Sequence, residues 1–374
     1  MKVLMWSRVD LFDIGGGDLI QMQTTAKELK KLGVESKIST DINEDISAYD
    51  LIHVFQMDWT PETYFYAKKA KEAGKPLVVS PIHHSVKEVT RFDNEYAFGF
   101  RKIISFFFKE QHQRDTWKNI YRSLKNPKKA YPTLMSIIIG LKNMHTKTLS
   151  FSDAVLVQTE AEAKDLKDTY GVDINWAKVP NGVGDHFLLD QEYPSIVDVE
   201  DYILCVGRVE ARKNNVRIIE AVEEFIKEGE IDVQLVFTGK KNANHGSFLE
   251  EFDKKVSENS WLTYIPHTPW EEIPALFHHA KVLVSASWFE TSGLTILEAL
   301  FSGTNAVAAG SRAREIAGDH VSYCDPGDVS SIKNAIREAY NAPRPEIPAE
   351  MKEEYTWENV AKRTHAVYED LLKN

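Results

Sequence analysis

The sequence predicts an α/β protein made of two successive parallel-sheet domains, and three features carry that reading. Short β-branched runs alternate with helical stretches, the pattern of parallel strands covered by helices. The alternation comes in two sets that meet at "VPNGVG" (179–184), where Pro-Asn-Gly turn chemistry suits a linker. The 374 residues, 43% of them hydrophobic, exceed what a single core organises.

In the first set "KVLMWS" reads as a strand and "DLIQMQTTAKELKKLG" as the helix after it, stopped at Gly33. "ESKIST", "YDLIHVF", "PLVVSPI" and "DAVLVQT" follow as strands, and "EAEAKDLKDTYG" as a helix stopped at Gly171. The second set supplies "YILCVG", "VQLVFTG", "WLTYIP" and "KVLVSAS" as strands with helices between them. After the Pro-rich "NAPRPEIPAE", "YTWENVAKRTHAVYEDLLKN" reads as a final amphipathic helix.

The bulk properties narrow the function classes. A net charge of −11 argues against a general nucleic-acid binder. Two cysteines, Cys205 and Cys324, fit a reducing compartment and exclude a disulfide scaffold. The start "MKVLMWSRVDLFDIGGG" reads as strand and loop rather than a signal peptide, and no apolar run approaches the roughly 20 residues of a membrane span. A soluble, cytoplasmic protein is expected. One segment stands apart: 96–149 holds eleven Lys and Arg against Glu110 and Asp115, interleaved with aromatics such as Phe106, Phe107, Trp117 and Tyr121. It admits three readings: a helical insertion with a solvated basic face, a surface leaning on anionic lipid or an anionic acceptor, and, least favoured, a single-strand nucleic-acid surface.

The stretch "WFETSGLTILEAL" (288–300) holds the most chemistry. Glu290 and Glu298 bracket a Thr-Ser-Gly turn, with Glu298 expected in the first turn of a helix whose free N–H groups attract anions. Thr295 and Glu298 have capping-box spacing, so Glu298 has a structural reading as well. The alternative is binding: one carboxylate accepts from a ribose, the other from a sugar, and N–H groups of Ser292, Gly293, Leu294 and Thr295 take the phosphates between. A nucleotide-diphosphate sugar has that shape. In "VGRVEARKN", Arg208 and Lys213 follow a buried strand at the end where open sheets bind ligands, spaced to clamp a diphosphate. Gly15, Gly16 and Gly17 form a strand-to-helix loop, but Ile20 stands at the third glycine position of a dinucleotide fingerprint, which disfavours a dehydrogenase. His83 and His84 lie just past the strand "PLVVSPI". No Asp-x-Asp, His-Glu-x-x-His or Cys-x-x-Cys occurs, so neither a metal nor another cofactor is expected.

Taken in order, "SDAVLVQTEAEAKDL…VPNGVG", "YILCVGRVEARKN", "KVLVSASWFETSGLTILEALFSG" and "YCDPGD" resemble the retaining glycosyltransferases of the GT-B fold, most closely over 152–328. The resemblance implies two Rossmann-like domains facing each other across a cleft: an acceptor-side domain at 1–180, a donor-nucleotide domain at 181–354, and a helix at 355–374 crossing back to the first. It implies that Glu290 contacts donor-sugar hydroxyls, that Glu298 holds the ribose, that Arg208 and Lys213 bind the diphosphate, and that Ser292, Gly293 and Leu294 lend N–H groups. Gly15–Gly17 would face donor and acceptor, and His83, with His84 beside it, matches the family's histidine. Asn305 where proline is common and Ser292 where an aromatic is frequent bear on specificity.

The implied reaction is metal-independent transfer of a hexosyl-type group from a nucleotide-diphosphate sugar to a saccharide or lipid-linked hydroxyl, in polysaccharide or glycoconjugate synthesis. Anomeric configuration is retained and no covalent nucleophile is needed. The basic segment adds contact with anionic lipid at the inner membrane face, and no nucleic-acid partner is expected. The rival readings are a GT-B-fold sugar-nucleotide epimerase and a non-catalytic subunit that keeps the pocket.

Overall fold

The computed structural model describes residues 1–188, 193–229, 232–243 and 245–373, with Phe100 described by its backbone alone. Two compact units are present. The first comprises 1–86, 104–182 and 354–374; the second comprises 87–103 and 183–353. The sequence reading placed all of 1–180 in one domain, whereas the segment Lys87–Ile103 packs within the second unit.

The first unit is built on a six-stranded sheet of β1 (Lys2–Trp6), β2 (Glu35–Ser39), β3 (Leu51–Phe55), β4 (Leu77–Ser80), β5 (Ala154–Val157) and β6 (Trp176–Lys178). The strands are parallel and ordered β2-β1-β3-β4-β5-β6. The second sheet holds β7 (Tyr202–Val206), β8 (Leu235–Thr238), β9 (Leu262–Ile265), β10 (Ala280–Ser285), β11 (Asn305–Ala309) and β12 (Ser322–Cys324). These are also parallel, in the order β12-β11-β10-β7-β8-β9. Central strands such as β3, β4, β5 and β8 are buried along their whole length, because helices cover both faces.

Local chemistry sets the element ends. Thr159 accepts from Glu162 N at 3.0 Å to start the helix Glu160–Tyr170, and left-handed Gly171 (φ 67°) ends it. The final helix, Trp357–Lys373, belongs to the first unit: Trp357, Val360 and Tyr368 join the core of Val3, Met5 and Leu51. Tyr368 bonds Nδ1 of buried His53 at 2.6 Å, and Ser80 bonds its Nε2 at 2.8 Å. The chain passes between the units at Gly182, where a Cβ would lie 2.6 Å from the Trp357 nitrogen.

The segment 96–149 is helical, with helices Gly99–Phe107, Gln111–Lys125, Ala130–Ile139 and Leu141–Phe151. Its cations divide. Arg114 is buried and donates to Phe108 O at 2.7 Å, Lys118 pairs with Asp115, Lys129 with Asp10 and Arg101 with Asp93. Lys102, Lys109, Arg122, Lys125, Lys128, Lys142 and Lys147 are exposed. So, within the first unit, are adjacent Phe106 and Phe107 and two apolar stripes at helical spacing: Trp117, Tyr121 and Leu124; Tyr131, Leu134, Ile137 and Ile138. Among the described residues no helix is long and apolar enough to cross a membrane.

Candidate active site

In the second unit the site begins where β7 ends. Gly207 (φ 131°) and Gly239 (φ 137°) let the loops after β7 and β8 touch: a Cβ on Gly239 would lie 2.1 Å from Gly207 O. The chain then makes a short 3₁₀ turn, Ala211–Lys213, ended by left-handed Asn214 (φ 64°). Fully buried Asn214 ties three loops: its Nδ2 donates to Pro326 O at 2.8 Å, and its Oδ1 accepts from Trp288 Nε1 at 3.3 Å. Trp288 N donates to Arg212 O at 2.9 Å, so the loop after β10 is pinned to the cation-bearing turn.

This pinning brings Glu290 to Lys213 Nζ at 2.5 Å and to Arg212 Nη1 at 3.1 Å. Arg212 also holds Glu210 at 2.9 Å, and Asn242 donates to Glu210 at 2.8 Å. Burial alone would raise the Glu290 carboxyl, but Arg212 and Lys213 outweigh it and hold the group well below its ordinary value. Among the described residues Glu298 has no such pair. Burial pushes it up to about 7, opposed only weakly by Lys213.

The helix after the turn is Leu294–Phe301, with left-handed Gly293 (φ 61°) as its N-cap and no side-chain cap bond. The Thr295–Glu298 capping box is therefore not formed. Glu298 is the fifth helical residue rather than part of the first turn, because glycine lets the helix start one residue ahead of Thr295. The first N–H of this start to reach a backbone carbonyl is that of Ile296, to Gly293 O at 2.9 Å. Leu294 and Thr295 precede it, where helix N–H groups lack intrahelical partners.

Two contributors escaped the sequence reading. Arg208, expected at the diphosphate, is exposed and makes no ion pair among the described residues; Arg212, which the sequence reading did not name, stands beside Glu290. Glu210, two positions before Arg212, was the available signal. The second is the segment Lys87–Ile103. Phe92 packs edge-on against Trp288 and Phe289 with ring centroids 5.8 and 5.7 Å apart, and Tyr96 stacks on Trp288 at 5.4 Å. The guanidinium of Arg217 covers Tyr96 at 4.4 Å and that of Arg91 covers Trp288 at 5.5 Å. This cluster backs the two residues that precede Glu290.

In the first unit Arg8 organises the glycine loop. It donates to Gly15 O at 2.7 Å and pairs with Asp18 at 2.7 Å and Asp10 at 2.9 Å. Gly15 (φ 65°) and Gly16 (φ 134°) lead into the helix Gly17–Lys31, and nothing lies within 4 Å of a Cβ built on Gly15 or Gly17. Past β4, His83 is buried with Nδ1 against Asp58. His84 N donates to the same carboxylate at 2.6 Å, its Nδ1 lies 3.0 Å away, and its ring stacks on Trp59 at 4.9 Å. Burial raises Asp58, but His83 and His84 hold it far below its ordinary range. Gln56, Trp59 and Ile82 all have left-handed backbones (φ 65°, 58° and 49°), a concentration of strain in the loops after β3 and β4. Asp58 is the partner that sequence reasoning missed.

The comparisons with known proteins meet this geometry at the second unit. The model of "Glycosyl transferases group 1" matches residues 191–356. The match covers 166 of the 374 residues. O-antigen chain mannosyltransferase B of Escherichia coli is 26% identical over 175 residues, 45% of this chain and 46% of that protein, so the matched part spans about half the relative's length. The α-monoglucosyldiacylglycerol synthase of Streptococcus pneumoniae is 26% identical over 388 aligned positions, 95% of this chain and 83% of that one. The sucrose-phosphate synthase structure from Thermosynechococcus elongatus superimposes with a TM-score of 0.73 at 15% identity, over 100% of this chain and 99% of that one. That likeness, with the two six-stranded parallel sheets, is the GT-B fold.

Proposed function

We propose that the chain is a retaining, metal-independent hexosyltransferase acting on a nucleotide-diphosphate sugar. The observation that carries this reading is Glu290, held ionised by Lys213 and Arg212 beside the open start of the helix Leu294–Phe301. A fixed carboxylate accepts from sugar hydroxyls, while the adjacent cations and N–H groups receive the departing diphosphate without reorganising. The bond from the anomeric carbon to the diphosphate oxygen breaks, and the acceptor oxygen bonds that carbon on the same face. The acceptor proton passes to a diphosphate oxygen. Glu298 accepts from the ribose.

The relatives named for mannosyl and glucosyl transfer support a hexosyl donor and an acceptor in polysaccharide or glycolipid synthesis. The exposed apolar stripes and the seven exposed cations of 96–149 support contact with an anionic membrane surface.

The first test is thermal unfolding with UDP, GDP, ADP, dTDP and CMP, each at millimolar concentration. A ligand at 100 times its Kd adds about 2.7 kcal/mol, which raises the midpoint by several degrees. One stabilising nucleotide names the base; five without effect would remove the donor pocket. Glu290→Gln should then lower transfer by about 100-fold or more while the nucleotide still stabilises. Undiminished transfer would take that role from Glu290.

A further inference from the structure

The glycine loop of the first unit has an apolar rim. Phe12 and Ile14, each more than half exposed, precede Gly15–Gly17, and exposed Ile20 follows them. The floor between them is polar and fixed, since Arg8 pairs with Asp10 and Asp18 and donates to Gly15 O. No described atom lies within 4 Å of a Cβ built on Gly15 or Gly17, so there is room over that floor. The rim is joined to the basic and aromatic helices by one ion pair, Lys129 Nζ to Asp10 at 2.7 Å. Asp10 is the N-cap position of the short helix Leu11–Ile14, and Lys129 that of Ala130–Ile139. The pair therefore sets the start of the loop bearing Phe12 and Ile14 beside the start of the helix that exposes Tyr131, Leu134, Ile137 and Ile138. All of these residues belong to the first unit. Asp13 is exposed between Phe12 and Ile14, but it is outnumbered by Lys128, Lys142 and Lys147, which are exposed and make no ion pair among the described residues.

We propose that Phe12, Ile14 and Ile20 form an acceptor subsite for an apolar chain, so that the acceptor is an amphiphile held in an anionic bilayer, with its hydroxylated head over the glycine loop. The inference rests on the glycosyltransferase reading of the chain. Ile14 and Ile20 offer a free saccharide no hydrogen-bond donor, no acceptor and no aromatic face, whereas an alkyl chain laid on them removes apolar surface from water. The polar floor suits the head: the helix Gly17–Lys31 starts there without a side-chain cap bond, which leaves its first N–H groups for a ligand oxygen. The bilayer is the source because the three lysines complement anionic head groups and the stripe on Ala130–Ile139 gives the same contact a second apolar face.

Two measurements on the full chain test this. In the first, octyl β-D-glucoside, below its micelle concentration, and methyl β-D-glucoside are titrated by calorimetry. Wild type should bind the octyl compound about tenfold or more tighter, and the double change Phe12→Ser, Ile14→Ser should remove most of that gain. The nucleoside diphosphate chosen by the thermal screen should bind the double variant within about twofold of wild type, which also shows that the variant folds. No gain from the octyl chain, or a gain that survives the double change, would overturn the subsite. In the second, Phe12→Cys, Leu134→Cys and Lys254→Cys are each made with Cys324→Ser and labelled with a polarity-sensitive fluorophore, Cys205 being buried. With phosphatidylglycerol vesicles carrying a nitroxide on the lipid chain, the labels at 12 and 134 should be quenched and the label at 254 should not. Quenching at 134 alone would leave the membrane contact standing and remove the subsite. A label at 12 that becomes shielded without vesicles as protein concentration rises would assign the rim to a second copy of the chain and overturn the proposal. Loss of nucleotide binding by wild type would strike the donor reading, and the quenching result is read independently of it.

Discussion

Glu290 and Glu298 are separated by seven residues, yet their carboxyl groups answer to opposite forces. Glu290 has Lys213 and Arg212 within 3.1 Å, and their charges overcome the cost of burial. Glu298 is buried with only a weak pull from Lys213, so its proton is held up to about 7. The sign of the consequence is fixed. Between the ordinary value of 4.5 and about 7 the folded chain keeps a proton that the unfolded chain has lost, so Glu298 makes stability fall as pH rises through that window. Glu298→Gln should therefore unfold at a higher temperature than wild type at pH 8, with the difference vanishing towards pH 4.5. Equal differences at pH 5 and pH 8 in thermal melts would contradict this. For Glu290 the sign is reversed: its contribution is complete above its ordinary value of 4.5 and is lost as acid protonates it.

At the scale of elements, the loops after the strands carry the site and the helices fix them. Gly239 is the tightest point, since any side chain there meets the backbone of Gly207. Gly239→Ala should cost about 1–3 kcal/mol from the left-handed backbone alone, with more from the clash. It should also weaken nucleotide stabilisation, because Arg212 and Lys213 sit in the loop that Gly207 begins. A denaturant midpoint equal to wild type would show that the contact gives way freely. The final helix is held by a different device, the bond from Tyr368 to buried His53. Tyr368→Phe should cost about 1 kcal/mol, read in urea unfolding. Burial pushes His53 down to about 3, so the neutral ring is the form that accepts or donates to Tyr368 and Ser80 across physiological pH.

For the whole molecule, a net charge of −11 coexists with seven exposed cations within 96–149. The same helices expose Phe106, Phe107, Leu124 and Ile138 at 68–82%. Sedimentation with vesicles of phosphatidylglycerol should retain the protein at low salt. The triple change Phe106→Ser, Phe107→Ser, Ile138→Ser should weaken that binding by about tenfold or more, taking a fraction of the roughly 1.5–3 kcal/mol for each large apolar side chain. Salt alone abolishing the binding, with the triple variant unaffected, would assign the surface to charge and not to insertion.

The order of strands and helices was set down locally. Alternating β-branched runs, the Gly33 and Gly171 stops and the Pro-Asn-Gly junction were enough to read nine of the strands and the helices that carry the site. β6, β11 and β12 escaped because "WAK" and "SYC" are too short for periodicity and "NAVAA" is alanine-rich, with little intrinsic strand preference. Glu290, Lys213, Gly293 and the paired histidines could likewise be named, since each stands in a turn or strand end whose chemistry is local. Tertiary structure alone decided which neighbour completes each site. Arg212 joins Lys213 at Glu290, Asp58 receives both histidines, and Lys129 turns inward to Asp10. These pairings join residues far apart in the chain, and a charge is drawn inward only where a distant partner repays its desolvation.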